Sequence, residues 1–187
     1  METPIAITLE FTPNPNTLKF VVNRPLLDQG TANFSHADAA THAPLAKEVF
    51  QVPGVSAVML GTNFVTITKA PTGDWDVIAE QVPQAVERLL LSGEPIVDAE
   101  WLAAQRVPTT ATNEIEQKII DILDSEIRPA VAMDGGDITF GRFEDGIVYL
   151  QLQGSCSSCP SSSATLKLGV EARLKERIPE VLEVVAL

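Results

Sequence analysis

The chain has 187 residues, 45% of them hydrophobic and 20% charged, and a net charge of −12 at pH 7. That length and composition suit two small globular domains, each able to bury a core of its own. The acidity, shared equally between residues 1–111 and 112–187, leaves no basic face for nucleic acid, and no stretch approaches the roughly 20 apolar residues of a membrane span.

The first residues, Met1-Glu2-Thr3-Pro4, lack the basic and apolar regions of a signal peptide and the arginines of a transit peptide. A cytoplasmic protein is therefore expected. Ile5 to Leu9 and Leu18 to Val22 predict two short strands, parted by the turn-forming Thr12-Pro13-Asn14-Pro15-Asn16. Pro44 opens a short helix over Leu45 to Phe50. Val55 to Leu60 and Phe64 to Thr68 predict a hairpin around Gly61-Thr62-Asn63. Asp74 suits the N-cap of a helix in which Val77, Ile78, Val82, Val86, Leu89 and Leu90 recur at helical spacing. Pro83 should kink or split it. The predicted order for a first domain, residues 1–91, is β-β-α-β-β-α. Gly93, Pro95, Pro108 and the run Thr109 to Asn113 mark residues 92–112 as a linker, within which Trp101-Leu102 could dock on a domain.

The second domain, residues 113–187, is predicted as α-β-β-α-β, so the fold class is α+β in both halves. Asn113 suits a cap, and Ile115, Ile119, Ile122, Leu123 and Ile127 mark one helix face. Arg128-Pro129 perturbs its end and Gly135-Gly136 closes it. Asp137 to Arg142 and Ile147 to Gln153 predict a hairpin around Glu144-Asp145-Gly146, with Val148, Leu150 and Leu152 on one face. Leu166, Val170, Leu174 and Ile178 predict a helix stopped by Pro179, and Val181 to Leu187 a last strand.

The chain has two cysteines, Cys156 and Cys159, in Gly154-Ser155-Cys156-Ser157-Ser158-Cys159-Pro160. Thiols three residues apart close no useful loop, so their purpose is chemical. At i and i+3 in a turn they can face one metal. Pro160 suits the first turn of the next helix, whose free N–H groups and dipole favour thiolate, the species that ligates metal. Lys167 lies roughly 12 Å along that helix from Cys159, too far to do this instead. Zinc–thiolate sites and iron–sulfur cubanes want four ligands, and His36 and His42 lie in the other domain. Pairing two chains about a two-fold axis would supply four thiolates. A half-site per chain can release its metal as readily as it gains it, which suits a carrier. Spacing alone leaves metal or cluster binding, thiol–disulfide chemistry and a structural pair all open. The late position of the C-x-x-C, after a hairpin rather than early in a βαβ unit, favours metal.

Arg128-Pro129-Ala130-Val131-Ala132-Met133-Asp134-Gly135-Gly136-Asp137, followed by Leu152-Gln153-Gly154-Ser155-Cys156-Ser157-Ser158-Cys159-Pro160-Ser161-Ser162, resembles the C-terminal domain of NifU-like (Nfu) proteins over residues 113–187. Thr12 to Phe20, Pro44-Leu45-Ala46, Gly54-Val55 and Asn63 to Lys69 resemble the domain found ahead of it in one branch of that family. The resemblance implies a [4Fe–4S] cluster, iron and sulfide, held between two subunits by Cys156 and Cys159 of each. It implies a homodimer when loaded, an upstream cluster donor, and delivery to apo iron–sulfur proteins. Without the extra cysteine-rich domains of the longer nitrogen-fixation scaffold, a carrier or intermediate scaffold without enzymatic turnover is expected, rather than a primary assembly platform. The competing functions for the same cysteines are a thiol–disulfide oxidoreductase and a zinc-binding interaction module.

Other residues carry structural readings. Asp134-Gly135-Gly136-Asp137 reads as a turn whose aspartates cap local backbone. Arg128 reads either as a contact to that acidic loop or the cluster's surroundings, or as a surface ion-pair partner. His36 and His42 read as solvated loop residues.

Overall fold

The computed structural model describes residues 4–105, 111–157 and 160–187, with side chains from 165 in the last stretch. The chain divides into two compact units, Met1–Arg106 and Val107–Leu187.

In the first unit, β1 (Ile7–Phe11) and β2 (Thr17–Val22) flank the Thr12 to Asn16 turn, and β4 (Val55–Leu60) and β5 (Phe64–Lys69) form the expected hairpin. A strand that the sequence pattern did not reveal, β3 (Ala32–Phe34), pairs with β4 and completes an antiparallel sheet of order β1-β2-β5-β4-β3. Its three residues are too few to show a period, although Ala32 and Phe34 are buried and Asn33 is exposed. Alternation places Leu18, Phe20 and Val22 of β2, with Val65 and Ile67 of β5, on one face. Helix α1 (Pro44–Val49) and helix α2 (Trp75–Ser92) cover that face with Leu45, Ala46 and Val49, and with Ile78, Val82, Val86 and Leu89. Of the kink or split expected at Pro83, the split does not occur in α2. Buried residues on both sides of the proline hold one continuous helix against the sheet, outweighing one lost hydrogen bond.

The stretch expected as a linker is partly folded. Helix α3 (Ala99–Gln105) lies within it, and Val97, Trp101 and Leu102 pack on the first core. Trp101 stacks on Phe34 and on His42, with ring centroids 5.6 and 5.9 Å apart. Asp98 accepts hydrogen bonds from the Trp101 and Glu100 N–H groups and lies 3.8 Å from His42 Nδ1. His42 is exposed, as expected, but its ring is not free of contacts, being stacked on Trp101. His36 is exposed and bonds Ser35.

In the second unit, Asn113 caps α4 (Glu114–Ile122), accepting from Glu116 N–H, while Glu116 Oε2 accepts from the Thr112 N–H and hydroxyl. This reciprocal arrangement is a capping box shifted by one residue. The Thr112 hydroxyl and N–H hold the Glu116 carboxyl below the usual carboxylate range. A π-helical turn, Leu123–Ile127, then joins α4 to α5 (Arg128–Met133), and Arg128 N–H donates five residues back to the Leu123 carbonyl. The core residues Ile119, Leu123, Ile127 and Val131 repeat every four residues. In an uninterrupted α-helix that repeat would drift about 40° per step, and the wider turn resets it. Pro129 stands in the first turn of α5, where its missing N–H costs little.

The sheet is β6 (Gly136–Glu144), β7 (Ile147–Gly154) and β8 (Glu183–Ala186), in that order. β6 and β7 form the expected hairpin through Asp145 and Gly146, both at positive φ (50° and 82°). β8 runs parallel to β7, which requires a crossover, and α6 (Pro160–Arg177) supplies it. Val148, Leu150 and Val184 of the sheet pack with Val170 and Leu174 of α6 and the α4–α5 residues in one core.

Candidate functional site

The cysteine loop leaves the end of β7, opposite the start of β6. Gly136 and Gly154 are register partners there. Gly154 has φ 62°, which turns the chain out of the strand. Three contacts then bind the loop to the Asp134-Gly135-Gly136 segment and to itself. Ser155 N–H donates to the Gly135 carbonyl at 3.2 Å, and Ser155 hydroxyl to the Asp134 carbonyl at 2.6 Å. The Ser157 hydroxyl donates to the Gly154 carbonyl at 2.9 Å. Cys156 is 7% exposed, and its Sγ is 3.9 Å from Ser155 Oγ.

Gly136 is the floor under that thiol. A Cβ on Gly136 would lie 2.4 Å from Cys156 Sγ and 3.1 Å from Ser155 Oγ. Its backbone φ is not in the left-handed region, so space and not backbone freedom requires glycine here. The sequence reading of Gly135-Gly136 as turn residues missed this contact, because nothing local links Gly136 to a cysteine 20 residues on.

Arg128 and Asp137 fix the floor from below. Arg128 Nε and Nη2 each donate at 2.9 Å to one carboxylate oxygen of Asp137, and Nη1 donates at 2.9 Å to Asp124. Asp137 Oδ1 also accepts from Ile138 N–H at 2.8 Å. The Asp137 side chain is 4% exposed and that of Arg128 29%. Of the two readings of Arg128, the contact to the acidic segment 134–137 therefore holds, and its pair with Asp137 is not an exposed surface bridge. The hydrogen bonds to Asp137 raise the Arg128 pKa above its ordinary value. A bidentate, largely desolvated pair of this kind is worth little as a net gain, but removing one partner strands the other. Arg128→Met should therefore destabilise the second unit by about 3 kcal/mol or more. Urea unfolding measures this, and a loss below about 1 kcal/mol would show that the pair does not hold the floor.

Of the two predicted ligands, the structure brings Cys156 to this floor; Cys159 lies outside the described residues. Lys167 is engaged elsewhere, 3.7 Å from Glu183. Among the described residues, no three His, Cys, Asp or Glu side chains are grouped to hold a metal ion. What the arrangement presents is one thiol whose direction is set by hydrogen-bonded backbone on each side. Such a thiol suits ligation, because its placement needs no further ordering.

The sequence matches two family models. One, described as NifU-like domain, matches residues 109–185; the other, described as Scaffold protein Nfu/NifU N terminal, matches residues 7–93. Over 176 residues the chain is 41% identical to the human protein "NFU1 iron-sulfur cluster scaffold homolog, mitochondrial", covering 94% of this chain and 69% of that one. Over 182 residues it is 40% identical to "NifU-like protein 4, mitochondrial" of Arabidopsis thaliana, covering 94% and 63%. A solution structure of a NifU-like protein from Saccharomyces cerevisiae aligns at 26% identity and a TM-score of 0.47, over 53% of this chain and 91% of that one. The mitochondrial names of the two full-length relatives overturn the expectation of a cytoplasmic protein. Addresses reside in removable segments outside the fold, so the composition of the first residues does not decide compartment.

Proposed function

We infer, because this chain belongs to the NifU-like (Nfu) family of iron–sulfur cluster scaffold proteins, that it carries a [4Fe–4S] cluster as cargo between two copies of itself. Cys156 and Cys159 of each copy are the ligands. The loaded form is a homodimer, filled by an upstream cluster donor, and it delivers to apo iron–sulfur proteins without enzymatic turnover. Delivery is ligand exchange: a client thiolate forms an iron–sulfur bond as a Cys156 or Cys159 thiolate leaves, with no change of redox state.

The observation that carries this reading is the anchored thiol of Cys156 in a chain that has two cysteines. A cubane wants four ligands, commonly all cysteine, and two chains supply four. The loop supports the ligand role through its fixed backbone, and the family supports cluster over zinc.

Anaerobic reconstitution with ferrous iron and sulfide, followed by iron, sulfide and mass analysis, tests it. About four irons and four sulfides per dimer are expected. Zinc bound without labile sulfide would favour an interaction module. A monomer that cycles a disulfide between Cys156 and Cys159 and reduces substrates would favour an oxidoreductase.

A further inference from the structure

The two halves of α6 differ in charge. Residues 160–170, directly after the second cysteine, carry one charged side chain, Lys167, which is drawn to Glu183 on β8. Residues 171–177 carry five, engaged in ion pairs: Lys175 with Glu171, Arg173 with Glu126 and Glu176, and Arg177 with Glu126. Val170 and Leu174 face the core. Leu168, about 200° round the helix from Val170, is 66% exposed. A side chain at Gly169 would meet nothing within 4 Å. Between residues 165 and 170 the exposed positions are thus Thr165, Leu168 and Gly169, none of them charged, with Leu168 the one large apolar side chain among them. Met133, one residue before the Asp134 whose carbonyl holds Ser155, is 71% exposed.

Single exposed leucines are ordinary; the surroundings of this one are not. A chain of net charge −12 repels its own copy. Two copies that share a cluster through Cys156 must nonetheless meet where α6 begins. Meeting on the charged turns would take their ion pairs out of water, a desolvation cost that uncharged positions do not carry. We propose that a second copy of this chain docks on α6 at its exposed, uncharged positions Thr165, Leu168 and Gly169, with Leu168 as the apolar contact shared across the two-fold axis. This rests on the two-chain reading of the cysteine site.

Leu168→Glu and Leu168→Lys, each reconstituted anaerobically alone and then as an equimolar mixture, test the face. Circular dichroism first establishes that both fold like the wild type, as substitution at an exposed position allows. Iron, sulfide and mass are read for each sample. Each variant alone should lose roughly tenfold or more in stability of the loaded dimer, from like charges brought together, and the mixture should recover it as a heterodimer. Variants that load as dimers like the wild type, or a mixture that does not recover, overturn the docking face and leave the shared cluster standing. A wild type that loads as a monomer overturns the two-chain reading, and the docking face with it.

Discussion

Exchanging Cys156 or Cys159 for serine is expected to abolish cluster loading and the cluster-dependent dimer together. Serine is nearly isosteric with cysteine, but its hydroxyl does not ionise near neutral pH and is a poor ligand for iron compared with a thiolate. In a two-chain site each substitution removes two of four ligands at once, so the effect is not halved but complete. Cys156 packs on Gly136, and a slightly smaller oxygen there leaves the backbone contacts of Ser155 and Ser157 intact. Cys156→Ser should therefore unfold at nearly the wild-type temperature while losing iron, sulfide and the broad absorbance near about 400 nm. A serine variant that stays coloured and dimeric would contradict the ligand assignment.

Gly136→Ala is expected to damage the cysteine loop directly. The new methyl carbon would sit 2.4 Å from Cys156 Sγ, well inside van der Waals contact, so either the thiol or the end of the β6–β7 ladder must move. Moving the thiol spoils its aim, and moving the ladder breaks the Ser155 bonds to Gly135 and Asp134. Overpacking of this kind typically costs about 1–3 kcal/mol. A double-mutant cycle separates the clash from any other effect. In a Cys156→Ala background the sulfur is gone, and the cost of Gly136→Ala should fall by more than half, with Ser155 Oγ and the Gln153 carbonyl the remaining close neighbours. An equal cost in both backgrounds would show that Gly136 does not serve the thiol. Loading in the otherwise wild-type background should drop with stability or faster.

The two halves were legible to different degrees for identifiable reasons. The four-residue repeat of Leu166, Val170 and Leu174 and the alternation of Val148, Leu150 and Leu152 are strong signals, and both elements stand where they were expected. Strand β3 carried no such signal, since three residues cannot display a period. Helix α3 was hidden by the prolines and glycine around it, and docking of Trp101 between Phe34 and His42 decides its place. Pro83 was a true local signal overruled by burial on both sides of it. The cysteine spacing was plain, but its supports were not: Arg128 and Asp137 are nine residues apart, and Gly136 and Cys156 twenty.

The sequence by itself determined the α+β class, the elements with clear periodicity, the count of thiols, and the motifs that mark the family. These are properties of residue type and local spacing, which the chain carries before it folds. Tertiary structure alone decided that a glycine makes room for the thiol, that Arg128 and Asp137 hold that glycine's strand, and that Leu168 of α6 is left exposed. Each of these depends on which distant segments are brought within a few ångströms, and that is set by the packing of the core, not by any local preference.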